Sequence, residues 1–413
     1  MNDRTPKRLD QLGSVARGKS RHRPRNDRAL YGGRWPFFQT GDVKAAELYL
    51  HSFSQTYNDV GLAQSKLWPA GTLCITIAAN IADTAILGIP GCFPDSVVGF
   101  VADPAQSDAR FVKYYIETLK QGMQNASRGT TQDNLSVDKL LTFDFLVPPA
   151  ARQREIASIL SAYDDLIENN RRRIAILEEM ARRIYEEWFV RFRYPGHESV
   201  RMVESELGLV PEGWRLTALG LLAEVNARSV RRGAEPTEIQ YVDISSVSTG
   251  SIDNKERMLF ADAPGRARRI VRDGDVIWAS VRPNRKSYAL VVDPEPNLLV
   301  STGFAVLSPV AAPSSFIYQC VTTDDFVSHL VNHAKGAAYP AVGAEDFENA
   351  KVLKPANDLV KAFDRIAEPM MRVVAVLQVK NANLRATRDL LLPKLISGDL
   401  DVSAVPEPEA LAA

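Results

Sequence analysis

The stretch that most constrains this chain is 152–194, which contains neither Pro nor Gly. Ile156, Tyr163, Asn170, Leu177 and Ile184 recur at seven-residue steps, and Leu160, Ile167, Ile174, Ala181 and Trp188 follow four places behind them. Two interleaved series at that spacing put one mostly apolar stripe along one side of a helix. At 1.5 Å per residue, a helix over 153–190 is about 55 Å long, more than a globular helix usually runs. Lying in mid-chain, it reads as a spacer with globular units on either side, and its stripe needs a partner. The pattern returns 207 residues later, as Phe363, Met370, Leu377, Leu384 and Leu391, with Leu395 in the place of Trp188. Two such helices, each following a globular unit, can close an antiparallel pair. Asn170 and Asn381 fall in the two seams, where a polar side chain either fixes register or is tolerated beside a wet edge. Pro369 either kinks the second helix or begins it.

The globular stretches repeat as well. Arg8-Leu9 with Leu12-Gly13 matches Arg215-Leu216 with Leu219-Gly220, and Phe37-Phe38-Gln39 matches Tyr241-Val242-Asp243. Gly71 and its apolar run match Gly274-Asp275-Val276-Ile277-Trp278. Gly99-Phe100 matches Gly303-Phe304, Gly129 matches Gly336, and Pro149 matches Pro355. Short apolar runs between turn signals, with helical spacing over 107–119, predict mixed α and β units. The chain is therefore read as a tandem duplication of domain plus long helix. The division expected is 1–149, helix 150–194, linker 195–213, 214–355, helix 356–400 and a disordered tail 401–413.

Composition excludes several classes. Cys74, Cys92 and Cys320 are too few and too scattered for a disulfide framework and suggest a reducing cytoplasm. The polar, basic first 30 residues do not read as a secretory signal. The most apolar run, 73–93, holds Asn80, Asp83 and Pro90, which suits buried strands better than a membrane span. No phosphate-cradling glycine loop, dinucleotide fingerprint or nucleophile motif occurs. His329 and His333 are four apart with no Glu behind the first, and chance is the better account than a metal site. Asp253-x-Lys255 has no acidic partner upstream and reads as a turn.

Recognition hardware is more evident. Residues 1–34 carry ten Lys/Arg against three Asp/Glu, densest at Arg17, Lys19, Arg21, Arg23, Arg25 and Arg28. This is either a solvated arm or a phosphate-binding one. In the first unit the further candidates are Gln39, Asn80 and the loop residues Arg128, Thr130, Thr131, Gln132 and Asn134. In the second they are Arg228, Arg231 and Arg232, then Asp243, then Arg282, Asn284, Arg285 and Lys286 directly after a strand, and Lys335 with Tyr339. Arg266, Arg268 and Arg269 add a third basic cluster. Arg and Asn suit guanine and adenine edges, and Lys and Arg also take phosphates.

At these residues the sequence resembles the specificity subunit of type I restriction-modification systems, over nearly its whole length. The resemblance rests on Val147-Pro148-Pro149 with Gln153-Arg154-Glu155-Ile156-Ala157, on Leu166-Ile167-Glu168-Asn169-Asn170, on Pro211-Glu212-Gly213-Trp214, and on the ending Leu391-Leu392-Pro393-Lys394-Leu395-Ile396-Ser397-Gly398-Asp399-Leu400. It implies an α+β protein in which two target-recognition domains alternate with two long helices paired as an antiparallel coiled coil. Each domain would read half of a split double-stranded DNA site. The helices would space the half-sites and dock two methyltransferase subunits, with outer faces near Glu178, Arg182, Glu186, Arg385 and Arg388. Restriction subunits complete such a complex, and its S-adenosylmethionine, ATP and Mg would sit on the partners. The chain itself would be no enzyme, and would be cytoplasmic and bound to DNA. It departs from the pattern in lacking a Trp at its first domain entry. The competing reading is a coiled-coil scaffold that touches no nucleic acid, which the formal net charge of zero favours.

Overall fold

The computed structural model describes residues 3–127, 135–206 and 208–401. The candidate loop residues Arg128, Thr130, Thr131, Gln132 and Asn134 lie outside the described residues, as does the expected tail beyond Asp401. Both long helices form. The first spans Ala150–Tyr185 and continues as a π-turn through Glu186–Val190; the second spans Asn357–Ser397. Pro369 lies inside the second helix, on its exposed side, and does not begin it. The chain folds into two compact units, Met1–Asn170 with Lys380–Ala413, and Arg171–Val379. Each unit thus holds one mixed domain together with a part of both helices. Among the described residues no helix is long and apolar enough to cross a membrane.

In the first unit the apolar runs become a five-stranded sheet. Its order is Gly13–Arg17, Val97–Ala102, Leu73–Thr76, Thr84–Leu87, Tyr49–Leu50. Leu73–Thr76 and Thr84–Leu87 are buried at every position, which is why they read as continuous apolar runs and not as alternation. Leu73, Ile75, Val98 and Phe100 pack with Phe111, Val112 and Ile116 of the helix Ala109–Ser127. The same core takes in Ile156, Ala157 and Leu160 of the first long helix and Leu395 and Ile396 of the second. The stripe is therefore shared between the partner helix and the domain. Each fully buried Leu or Ile of this kind contributes about 1.5–3 kcal/mol. Ile167 is buried, whereas Tyr163, Leu384 and Leu391 are half-buried.

Asn170 and Asn381 are 9 % and 3 % exposed, and Asn170 Nδ2 donates to Asn381 Oδ1 at 2.9 Å. The wet-edge alternative is thereby removed. Other polar groups enter the seam that the apolar periodicity hides. Asp164, 1 % exposed, accepts from Tyr114 Oη and from the Arg388 guanidinium. Arg385 Nη2 reaches Glu47 Oε1 at 3.0 Å. Arg388 is thus turned inward, and the expectation that it lies on an outer docking face is corrected. Gln153, fully buried, donates to the carbonyls of Gln106 (3.0 Å) and Pro148 (2.9 Å), which explains its place at the helix start.

The second unit builds two four-stranded sheets. One has the order Ala223–Val225, Phe304–Pro309, Val276–Ala279, Tyr288–Leu290. The other has Glu256–Leu259, Glu238–Val242, Leu298–Ser301, Ala267–Ile270. Its helix contacts are aromatic. Phe189 lies 5.2 Å from both Phe316 and Phe363 between ring centroids, and Tyr194 stacks on Trp214 at 5.6 Å. Leu377 and Phe363 are buried, while Ile174, Leu177, Ile184, Trp188 and Met370 are half-buried.

Strand register tests the proposed duplication. Gly71 and Gly274 take the same left-handed φ, +84° and +83°, and donate to equivalent carbonyls, Leu87 O and Val291 O. In both units a short entry strand pairs antiparallel with the last strand, Thr5–Lys7 with Phe145–Val147 and Arg215–Ala218 with Lys351–Lys354. Two of the expected matches shift. Val15 faces Phe100 and Val225 faces Leu307, so Leu9 and Leu12 correspond to Leu219 and Leu222, and Gly99-Phe100 to Val306-Leu307. The hydrogen-bonded ladder, not the recurrence of Leu-Gly or Gly-Phe, sets the true offset.

Candidate nucleic-acid interface

In the second unit, the hairpin loop after Val276–Ala279 carries the densest group of candidate residues. Arg282 and Lys286 both adopt left-handed backbone, at φ +53°, and bracket the single turn Pro283–Arg285. The loop 335–341 packs beside it. Arg282 N donates to Pro340 O at 2.7 Å, Val281 bridges to Ala341, and the Arg282 guanidinium lies 4.6 Å over the Tyr339 ring. Two stretches that lie more than fifty positions apart are thus brought together, as neither could show alone. Asn284, Arg285, Lys335 and Tyr339 are exposed; Lys286 pairs with Asp324 at 2.7 Å.

The turn Thr302–Gly303 adjoins this loop, because Ser280 N donates to Gly303 O at 2.8 Å. Thr302 N in turn donates to Arg266 O, and Arg266 reaches Asp243 Oδ2 (2.7 Å) and the Tyr241 hydroxyl (3.1 Å). These two partners hold the Arg266 guanidinium above its ordinary pKa. Asp243 also caps the turn that follows it. Arg231 and Arg232 are exposed on a neighbouring loop. Arg228 differs. Its Nη2 is held by Asp275 (2.7 Å) and Ser308 (2.9 Å), and Asp275 is 2 % exposed. Arg228 is half-buried and already committed to these partners. Arg269 is half-buried, and burial lowers its pKa.

The first unit has the same corner with other residues. Ile77 N donates to Ser96 O as Ser280 N does to Gly303 O, and Leu135 N donates to Ile77 O as Val342 N does to Ser280 O. The loop 77–82 is therefore the counterpart of 280–286, with Ala79 and Ala82 at its left-handed positions (φ +64° and +61°). Asn80 N bonds Ala78 O within it, and the loop holds no cation. The cations come from the basic stretch. Arg17 Nε donates to Asp95 O at 2.9 Å, and Arg25 pairs with Asp95 at 2.7 Å. The stretch is an ordered loop and not a free arm: Lys19 N bonds Phe93 O, and the amides of Arg21 and His22 both donate to Gln64 Oε1. Asp27 is held below the usual carboxylate range, first by the Ala29 amide and then by His22. Lys19, Arg21 and Arg23 keep exposed side chains, and Gln39 Nε2 reaches Gln55 Oε1 at 2.8 Å.

The weaker motifs resolve as ordinary structure. The rings of His329 and His333 lie 4.1 Å apart between centroids, tilted to each other, and turn nitrogens to the carbonyls of Asp346 and His329. Asp253 accepts from Ser248 at 2.7 Å beside a short hairpin, and Lys255 pairs with Glu295. Among the described residues no group of three or more His, Cys, Asp or Glu could hold a metal ion. The three cysteines are free and buried, and burial pushes the Cys320 thiol up to about 11.

Residues 1–179 match the type I restriction modification DNA specificity domain. A relative is similar over nearly the whole chain. The type I restriction enzyme MjaIX specificity subunit of Methanocaldococcus jannaschii is 23 % identical over 406 residues, covering 96 % of this chain and 93 % of that protein. The chain is thus similar to the specificity subunits of type I restriction-modification systems over nearly its whole length. A second relative of the same organism, the MjaVIII specificity subunit, is 19 % identical over 330 residues, 78 % of this chain and 77 % of its own length. The solved S subunit from M. genitalium shares the fold, with a TM-score of 0.63 over 95 % of this chain and 96 % of its own, at 15 % identity.

Proposed function

We propose that this chain is a type I restriction-modification specificity subunit that reads a bipartite double-stranded DNA target, one half-site per unit, and confers that sequence on partner subunits that do the chemistry. The observation that carries the reading is the repeated corner. In both units the loop after the glycine-led strand, the turn beside it and a set of exposed cations come together, although the residues differ. Phosphate contacts supply affinity and position, and base-edge contacts supply the sequence. The chain acts in the cytoplasm and is no enzyme itself. It docks two methyltransferase subunits, one for each copy of the domain-plus-helix repeat, together with restriction subunits. S-adenosylmethionine, ATP and Mg belong to those partners.

Selection of bound sequences from a random duplex library, using the full chain, tests this. Two short sequences separated by a fixed unread run are expected. Retention of duplex at low salt with no sequence enriched would leave only a basic protein and refute the reading. For the assembly, a mass measurement with saturating methyltransferase subunit is expected to give two copies per chain, and a stable one-to-one complex contradicts it.

A further inference from the structure

Three cations around the second unit's corner are already committed. Arg228 is held by Asp275, Arg266 by Asp243 and Lys286 by Asp324. Arg282 is not. Its guanidinium lies on the Tyr339 ring at 4.6 Å, and among the described residues none of the guanidinium N–H donors has a hydrogen-bond partner. Its backbone is fixed in an unfavourable way. A non-glycine residue at φ +53°, directly before a proline, persists only where its surroundings over-determine it. Here the fixing contacts are the hydrogen bond from the Arg282 amide to Pro340 O and the bridge from Val281 to Ala341. Strain of this kind concentrates at working sites. A stacked guanidinium loses less freedom on binding than a solvated one, and its planar fork matches one base edge, guanine O6 and N7.

We infer that Arg282 is the base-reading side chain of the second unit, and that it takes a guanine through the major groove with Tyr339 as its platform. This rests on the DNA-reading function proposed above. Arg285 is exposed on the same turn, and among the described residues no aromatic ring lies beneath it, so we assign it a phosphate. The counterpart of Arg282 in the first unit is Ala79, so the first half-site is read by other means and is indifferent to changes here.

The test is sequence selection from random duplexes by the full chain and its Arg282→Ala, Arg282→Lys, Tyr339→Leu and Arg285→Ala variants. Tyr339 is 69 % exposed, so its loss does not endanger the fold. The wild type is expected to require one G·C pair within one half-site. Arg282→Ala and Arg282→Lys relax that position by about 5- to 150-fold and leave the other half-site unchanged. Tyr339→Leu relaxes the same position by less. Arg285→Ala weakens all duplexes alike and lowers the salt slope by about 1. An unchanged sequence preference in Arg282→Ala, or equal weakening on every duplex, overturns the assignment. A wild-type chain that enriches no sequence removes the underlying reading and the assignment with it, so the two failures are told apart.

Discussion

The asparagine pair between the long helices offers a sharp energetic test. Asn170 Nδ2 donates to Asn381 Oδ1 at 2.9 Å, Asn381 Nδ2 reaches Ile167 O at 3.4 Å, and both side chains are buried. Replacing one by Leu leaves the other amide buried without its partner, which costs about 1–3 kcal/mol. Replacing both removes the polar groups together, and such paired exchanges are nearly neutral or stabilising. The two single variants are therefore expected to sum to about 2–6 kcal/mol of destabilisation, while Asn170→Leu/Asn381→Leu lies near the wild type. The resulting non-additivity should be about 2 kcal/mol or more, within the range for groups in direct contact. Urea unfolding of the full chain, followed by its helical circular dichroism, measures it. Singles close to wild type, or a double variant equal to their sum, would show that the pair does not act as a unit. A stable double variant would also indicate that the asparagines are kept for register and not for stability.

Two further outcomes follow from the charge placements. Arg21→Ala, which touches an exposed side chain, is expected to weaken binding of every duplex and reduce the slope of log affinity against log salt by about 0.9; an unchanged slope would take Arg21 off the phosphate backbone. Arg228→Leu strands the buried Asp275 carboxylate and is expected to cost about 3 kcal/mol or more in urea unfolding while leaving sequence preference intact, and Arg228→Leu/Asp275→Leu recovers most of the loss.

The long helices were legible because nothing but a helix satisfies an uninterrupted seven-residue pattern over some 38 positions. The duplication was legible for the same reason, since a repeat of that length is not produced by composition. What stayed hidden was polar. Asp164 lies between Leu160 and Ile167 on the buried side of the helix, four and three positions from each, so its spacing alone pointed inward. Its partners Tyr114 and Arg388 come from distant segments and carry no local signal. The corner of the second unit was legible only in parts. Arg282 and Tyr339 each appeared as a loop residue, and their contact depends on strand order that neither loop encodes.

The missing tryptophan at the first domain entry shows why a departure from a pattern can still satisfy its physics. Trp214 precedes the second unit's entry strand and stacks on Tyr194, with Phe189 5.9 Å away, at the end of the first long helix. By strand register the corresponding position in the first unit is Arg4. It too meets the end of a long helix, but the second one, and by a different chemistry. Its guanidinium donates to the carbonyls of Leu395 and Ile396, in the last turn where helix carbonyls lack internal partners. A cation there is also favoured by the helix dipole. The second helix ends in Ser397 and Gly398, which offer no aromatic ring for a tryptophan to stack on, whereas the first ends in Phe189, Phe192 and Tyr194. The residue at the entry follows the helix end it has to close, so aromatic meets aromatic in one unit and guanidinium meets carbonyl in the other.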